Sequence, residues 1–171
     1  MNYFNWARFL SYRKEGNALH LCSVLDDNKH VGFFRSPEEL ATLRFKEKLK
    51  PFSDRADVYA LGGMINLLGT GIFPFEREIA ETGRNASDWV LRYSGRKLDE
   101  EERKVEKAIL SGEDMDMSAW ESQKGDSKRL LGAKQILSDA IQKCRKYDPN
   151  DRPSAIELLK YLKHQVRQLP H

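Results

Sequence analysis

Apolar residues return at three- and four-residue intervals near the end of the chain, at Leu130, Ala133, Leu137, Ala140, Ile141 and Cys144. That spacing predicts a helix with one buried face. Asp148-Pro149-Asn150-Asp151 predicts a turn, and Ser154 followed by Glu157 reads as a capping box. Leu158, Leu159, Leu162 and Val166 then stripe a last helix. Further upstream, Ala56 to Leu68 carries Val58, Tyr59, Leu61, Met64, Ile65, Leu67 and Leu68, apolar on every face. Such a helix is expected to be buried. Ser53 is its expected cap with Asp54 in its first turn, and Gly69-Thr70-Gly71 ends it.

The remaining segments are shorter. Ser36-Pro37-Glu38-Glu39 starts a helix, with a capping serine, a proline at the first position and Glu39 three residues on; it ends near Leu43 to Phe45. Another helix is predicted from an Asp99 cap through Val105, Ala108 and Ile109 to Gly112. Glu113 to Asp126 reads as a loop holding Trp120, and 76–98 as polar with one apolar cluster around Trp89 and Tyr93. Residues 1–35 are punctuated by Gly16, Asn17, Asp26-Asp27-Asn28 and Gly32, which predicts a long structured loop with brief strands. The chain therefore reads as one mainly α domain.

With 171 residues there is room for one sizeable core. Charge changes this picture little: 29 basic against 26 acidic residues give a net +3 and are interspersed, so no basic stripe points to nucleic acid. Cys22 and Cys144 lie far apart without metal-ligand spacing and read as reduced thiols. No apolar run reaches the roughly 20 residues of a membrane span, and no signal-peptide stretch opens the sequence, so no membrane role and an intracellular, cytoplasmic setting are expected.

Three motifs stand in order: Arg35-Ser36-Pro37-Glu38-Glu39, Ser53-Asp54-Arg55-Ala56-Asp57-Val58-Tyr59-Ala60-Leu61-Gly62, and Tyr147-Asp148-Pro149-Asn150-Asp151-Arg152-Pro153-Ser154. Together they resemble the lower half of a protein-kinase domain. There an Ala-Pro-Glu-type motif closes the activation segment, an Asp-x-Tyr/Trp-Ser/Ala-x-Gly helix crosses the C-terminal lobe, and an Asp-Pro-x-x-Arg-Pro segment comes near the end. Cys144, four residues before Asp148, and Gly71 to Phe75 after the central helix also match. The resemblance implies the C-terminal lobe of a protein-kinase-like fold, with 1–35 as an activation-segment-like loop and 36–171 as the helical lobe. The N-terminal lobe and the catalytic loop have no counterpart in the sequence.

The resemblance assigns roles. Glu38 and Arg152 would form an ion pair, since arginine's planar fork holds a carboxylate bidentately. Asp57 would accept hydrogen bonds from a catalytic loop, and an unpaired carboxylate in so apolar a helix would be costly. Gly62 belongs to the same motif. Asn2-Tyr3-Phe4-Asn5 resembles a variant Asp-Phe-Gly region: Phe4 the packing phenylalanine, Asn5 in place of glycine, Tyr3 where a magnesium-binding aspartate stands. A neutral phenol is a poor ligand for that hard cation. Gly32, Phe33, Phe34 and Arg35 fall where a substrate docks, and Ser11, Tyr12 and Ser23 in the region that accepts regulatory phosphate.

The implied activity is ATP- and magnesium-dependent phosphorylation of protein substrates. Phosphoryl transfer needs a phosphate-binding lysine, metal ligands and a base, and no Gly-x-Gly-x-x-Gly, Val-Ala-Ile-Lys or His-Arg-Asp motif occurs here. No catalytic, cofactor-binding or metal-binding residue is assigned. The chain is expected to be inactive alone, as a truncated or degenerate lobe. The alternative is a non-catalytic helical adaptor that binds protein partners or itself through apolar surface, because Val58, Leu61, Ile65 and Leu68 cannot all be covered by the two remaining long helices.

Overall fold

A computed structural model of the chain describes residues 12–15, 18–21, 34–45, 54–75 and 100–170. Strands β1 (Tyr12–Glu15) and β2 (Ala18–Leu21) pair antiparallel, Tyr12 opposite Leu21 and Glu15 opposite Ala18. The sequence between them is Gly16-Asn17, the kind of pair that two-residue hairpin connections favour. Everything else regular among the described residues is helical: α1 (Pro37–Phe45), α2 (Asp54–Thr70), α3 (Glu100–Ser111), α4 (Lys128–Cys144) and α5 (Ala155–Val166), with single 3-10 turns at Ser118–Trp120 and Pro149–Asp151. The described part is mainly α.

Local chemistry sets these boundaries. At α1 the Ser36 N–H and hydroxyl both donate to Glu39 Oε2, at 2.8 and 2.9 Å. At α5 the box is complete: Ser154 N–H donates to Glu157 at 2.7 Å, and Glu157 N–H donates back to Ser154 Oγ at 3.2 Å. Ser127 caps α4 by accepting from Leu130 N–H at 3.2 Å. Gly112 ends α3 in the left-handed region, φ 75°. Glu113 N–H then returns to the Ala108 carbonyl and Gly112 N–H to that of Ile109, which satisfies carbonyls the helix end leaves open.

Helix α2 is the spine, packed chiefly along α4 and touching α5. Three apolar clusters surround it. Leu40, Tyr59, Phe75, Val105, Ala108 and Ile109 join α1, α2 and α3. Val58, Ala140, Cys144 and Leu158 join α2, α4 and α5. Met115, Trp120 and Ile141 form the third, with Ile65 against it. Trp120 rests so close over Gly69 that a Cβ there would lie 2.3 Å from its ring. Its indole N–H donates to Asn66 Oδ1 at 2.7 Å, and Asn66 Nδ2 donates to the Ile72 carbonyl at 2.9 Å.

The observed burial corrects several expectations. Leu130 is exposed and Ile136 takes its place inside, because the buried residues of α4 lie in its second half, Ile136 to Cys144. Leu159 and Val166 are exposed as well, since α5 turns Leu158, Tyr161 and Leu162 inward and the two lie round the cylinder from them. Nor is α2 buried on all sides. Val58 is covered and Ile65 packs on the Trp120 cluster, whereas Leu61 is 37% and Leu68 82% exposed.

Asn66 is the test of this packing. Asn66→Ala should cost about 1–3 kcal/mol for each polar group it leaves unpaired, read as a lowered urea midpoint at unchanged m-value. Trp120→Phe should cost less in that background than alone, because the indole N–H has already lost its acceptor.

Candidate functional site

Asp148 accepts from the Asn150 N–H at 2.9 Å, opening the 3-10 turn that follows, and Arg152 is the residue that closes it. Its side chain runs inward and is 2% exposed. A guanidinium has five N–H bonds, and each finds an acceptor. Nε donates to the Lys146 carbonyl at 2.6 Å, Nη1 to Glu38 Oε1 at 2.6 Å and to the Arg55 carbonyl at 3.0 Å. Nη2 donates to Glu38 Oε2 at 2.8 Å and to the Tyr147 carbonyl at 2.9 Å. The structure thus brings Glu38 and Arg152 together as a bidentate pair, with Glu38 only 7% exposed.

The neighbours extend this cluster. Arg55 donates to the Arg152 carbonyl while its own carbonyl accepts from Arg152, and its guanidinium stands 3.6 Å from Glu157 in the α5 capping box. Glu39 is engaged with Ser36, which leaves Glu38 for the interior. Burial pushes the Glu39 carboxyl above the usual range, against the pull of the Ser36 hydrogen bonds and Arg35. Tyr59 lies under two cations, with the Arg152 guanidinium 4.8 Å and the Arg145 guanidinium 3.8 Å from its ring centre. Burial raises its phenol, against both charges.

Gly62 faces the end of α4: a Cβ there would come within 2.8 Å of Cys144 Cβ and 3.0 Å of Arg145 Cγ. Only glycine admits that approach. Cys144 is a fully buried free thiol pushed up to about 11 by desolvation. Phe34 packs against Phe73, ring centres 6.4 Å apart, and onto Gly63. Arg35 is half-buried beside Glu39.

The loop that the resemblance gives Asp57 as a partner has no counterpart in the sequence. Asp57 stands exposed on α2, and its side chain makes no hydrogen bond among the described residues. Desolvation and then Asp54 raise its carboxyl above the ordinary value. It is not the costly interior charge that the apolar sequence around it implies, because that side of α2 is open. Tyr3, Phe4, Asn5, Gly32 and Phe33 lie outside the described residues, as do Ser11, Ser23, Ser53 and Cys22. Tyr12 is placed in β1.

Chemically the cluster is saturated. Arg152 has no donor left for a ligand, and Glu38 is held by both oxygens. It joins separated segments of the chain. Among the described residues no group of His, Cys, Asp and Glu could hold a metal ion, and no helix is long and apolar enough to cross a membrane. Sequence reasoning missed Tyr59 and Arg145 as a stacked pair, although a basic residue between buried Cys144 and the Asp-Pro turn was a visible signal. No family model matches the chain, and no curated protein is similar to it.

Arg152→Ala should destabilise the fold by about 3–5 kcal/mol, the usual cost of breaking a buried pair, whereas Arg167→Ala on the exposed end of α5 should leave the melting temperature nearly unchanged. A double-mutant cycle with Glu38→Ala should return a large coupling energy; additive effects would mean the two charges act independently. Separately, a thiol pushed up to about 11 stays protonated at pH 8. Cys144 should resist alkylation in the folded chain, followed by peptide mapping, and react in urea.

Proposed function

We propose that this chain is the C-terminal lobe of a protein-kinase-like domain, and that it works by protein–protein contact rather than by transferring phosphate itself. The observation that carries this reading is the Glu38–Arg152 pair. It joins the Ser-Pro-Glu motif to the Arg-Pro motif across 114 residues of chain, in bidentate geometry. The family resemblance requires that long-range contact, and nothing in the local propensity of either segment does. Gly62 adds support, since its motif glycine sits where α2 meets the end of α4.

The reaction that the family performs needs a metal-bound nucleotide and a base. The described residues have instead a saturated ion pair and an open helix face. Leu61, Met64 and Leu68 on α2 are exposed, at i, i+3 and i+7 of one face, and exposed apolar side chains gathered on one face favour a contact site. The partner is a protein: another polypeptide, or another copy of this chain.

Two measurements test the proposal. Titration with a fluorescent ATP analogue and magnesium should give no saturable binding; micromolar binding would overturn the non-catalytic reading. Light scattering with a hydrophobic dye should show self-association or dye uptake, and Leu68→Lys should reduce both at unchanged melting temperature. A monodisperse chain that binds no dye would remove α2 as the contact face.

A further inference from the structure

Among the described residues one buried side-chain nitrogen lacks any hydrogen-bond partner, Nη1 of Arg145. The residue follows α4, its N–H donating to the Ile141 carbonyl at 2.9 Å, where helix carbonyls favour a cation. Its guanidinium lies 3.8 Å from the Tyr59 ring centre and 5.1 Å from that of Phe75. Phe75 reaches this position with φ at 62°, a conformation that non-glycine residues seldom adopt. Strain of this kind persists only where surroundings enforce it, here the packing of Phe75 among Leu40, Tyr59 and Val105. Nearby Arg152 has its charge met by Glu38, whereas Arg145 makes no ion pair among the described residues. Two aromatic faces offset part of the desolvation cost; no anion among the described residues offsets the rest.

Arg145 lines a cavity of about 630 Å³, within the range of ligand sites. Tyr59, Met115 and Ile141 supply apolar wall. Glu113, Asp114, Asp148 and Asp151 stand around it, with Lys146 as the only other cation among the described residues of the lining. We propose that this cavity is a binding site for a carboxylate carried on a peptide beside basic residues. The guanidinium takes the carboxylate, and the acidic rim takes the flanking cations. A phosphate dianion fits less well, because it would face four carboxylic side chains. The cavity is also large enough for more than one residue. This assignment stands whether or not the chain is kinase-related, since it rests on the geometry and charge of the lining and not on any role that a kinase motif assigns.

The probes are acetyl-Lys-Glu-Lys-amide, its Lys-Gln-Lys counterpart and inorganic phosphate, titrated against the intact chain. Methionine and isoleucine methyl resonances report the wall, with Met115 and Ile141 as the expected responders. The Glu peptide should shift them saturably. The Gln peptide should bind about tenfold or more weakly, the scale of one charge-assisted hydrogen bond. Arg145→Gln should abolish the difference between the peptides, and Asp151→Asn should weaken the Glu peptide with little effect on the fold, its side chain being exposed. Should Arg145→Gln fail to fold, the two peptides on the unaltered chain decide alone. Equal binding of the two, no binding of either, or tighter binding of phosphate than of the Glu peptide would each overturn the proposal.

Discussion

A guanidinium taken out of water must have its five N–H bonds met or the interior cannot hold it, and Arg152 meets that demand with groups from separated parts of the chain. Glu38 comes from the first turn of α1, the Arg55 carbonyl from the first turn of α2, and the Lys146 and Tyr147 carbonyls from the link after α4. None of these acceptors can move without stranding a buried donor. The start of α1, the start of α2 and the entry to α5 are therefore positioned by one side chain. Arg55 reinforces the join by donating back to the Arg152 carbonyl and lying near Glu157. Apolar burial supplies most of the driving force, but it is non-directional. The hydrogen-bond geometry at Arg152 selects this mutual arrangement of helices from others that would bury similar area.

The same demand explains why the small residues of α2 matter. Gly62 lets Cys144 and the Arg145 stem approach the α2 backbone, and that approach brings the Arg145 guanidinium over Tyr59. Tyr59 then has a cation from each of two directions, one neutralised by Glu38 and one not. A side chain at position 62 would act on both the α2–α4 contact and the stacking. Packing and electrostatics are thus one constraint at this point.

What could be read from the sequence divides along physical lines. Capping boxes at Ser36–Glu39 and Ser154–Glu157 are local chemistry over a few residues, so their helices start where the pattern places them. Helical periodicity told that α4 and α5 have a buried face. It does not tell which apolar residues are left over: Leu130, Leu159 and Val166 fit the striped faces and are nonetheless exposed. That choice depends on where the neighbouring helix crosses. The Glu38–Arg152 contact was legible only through motif order, because no propensity links residues so far apart. The Asn66–Trp120 hydrogen bond had no signal at all: an asparagine within a helix and a tryptophan in a loop acquire meaning only when packed together. Asp57 is exposed for a related reason, since apolar neighbours in sequence do not guarantee a covered face.

Arg145 and Arg152 make the contrast that separates structure from function here. Both follow α4 and both stack on Tyr59. Arg152 is complete, and a group with every bond made can only hold the fold. Arg145 is incomplete: burial pulls its guanidinium below the ordinary arginine value, and a buried nitrogen goes without an acceptor. As a stability device this is a poor one, because an apolar side chain over Tyr59 would bury the same ring face without the charge. Retaining a cation there makes physical sense if the missing anion arrives from outside. On the proposed reading, the cavity that Arg145 lines is the entry, and its acidic edge restricts which anions can come in. The incomplete arginine is accordingly where recognition is sought, and the complete one is what keeps it in place.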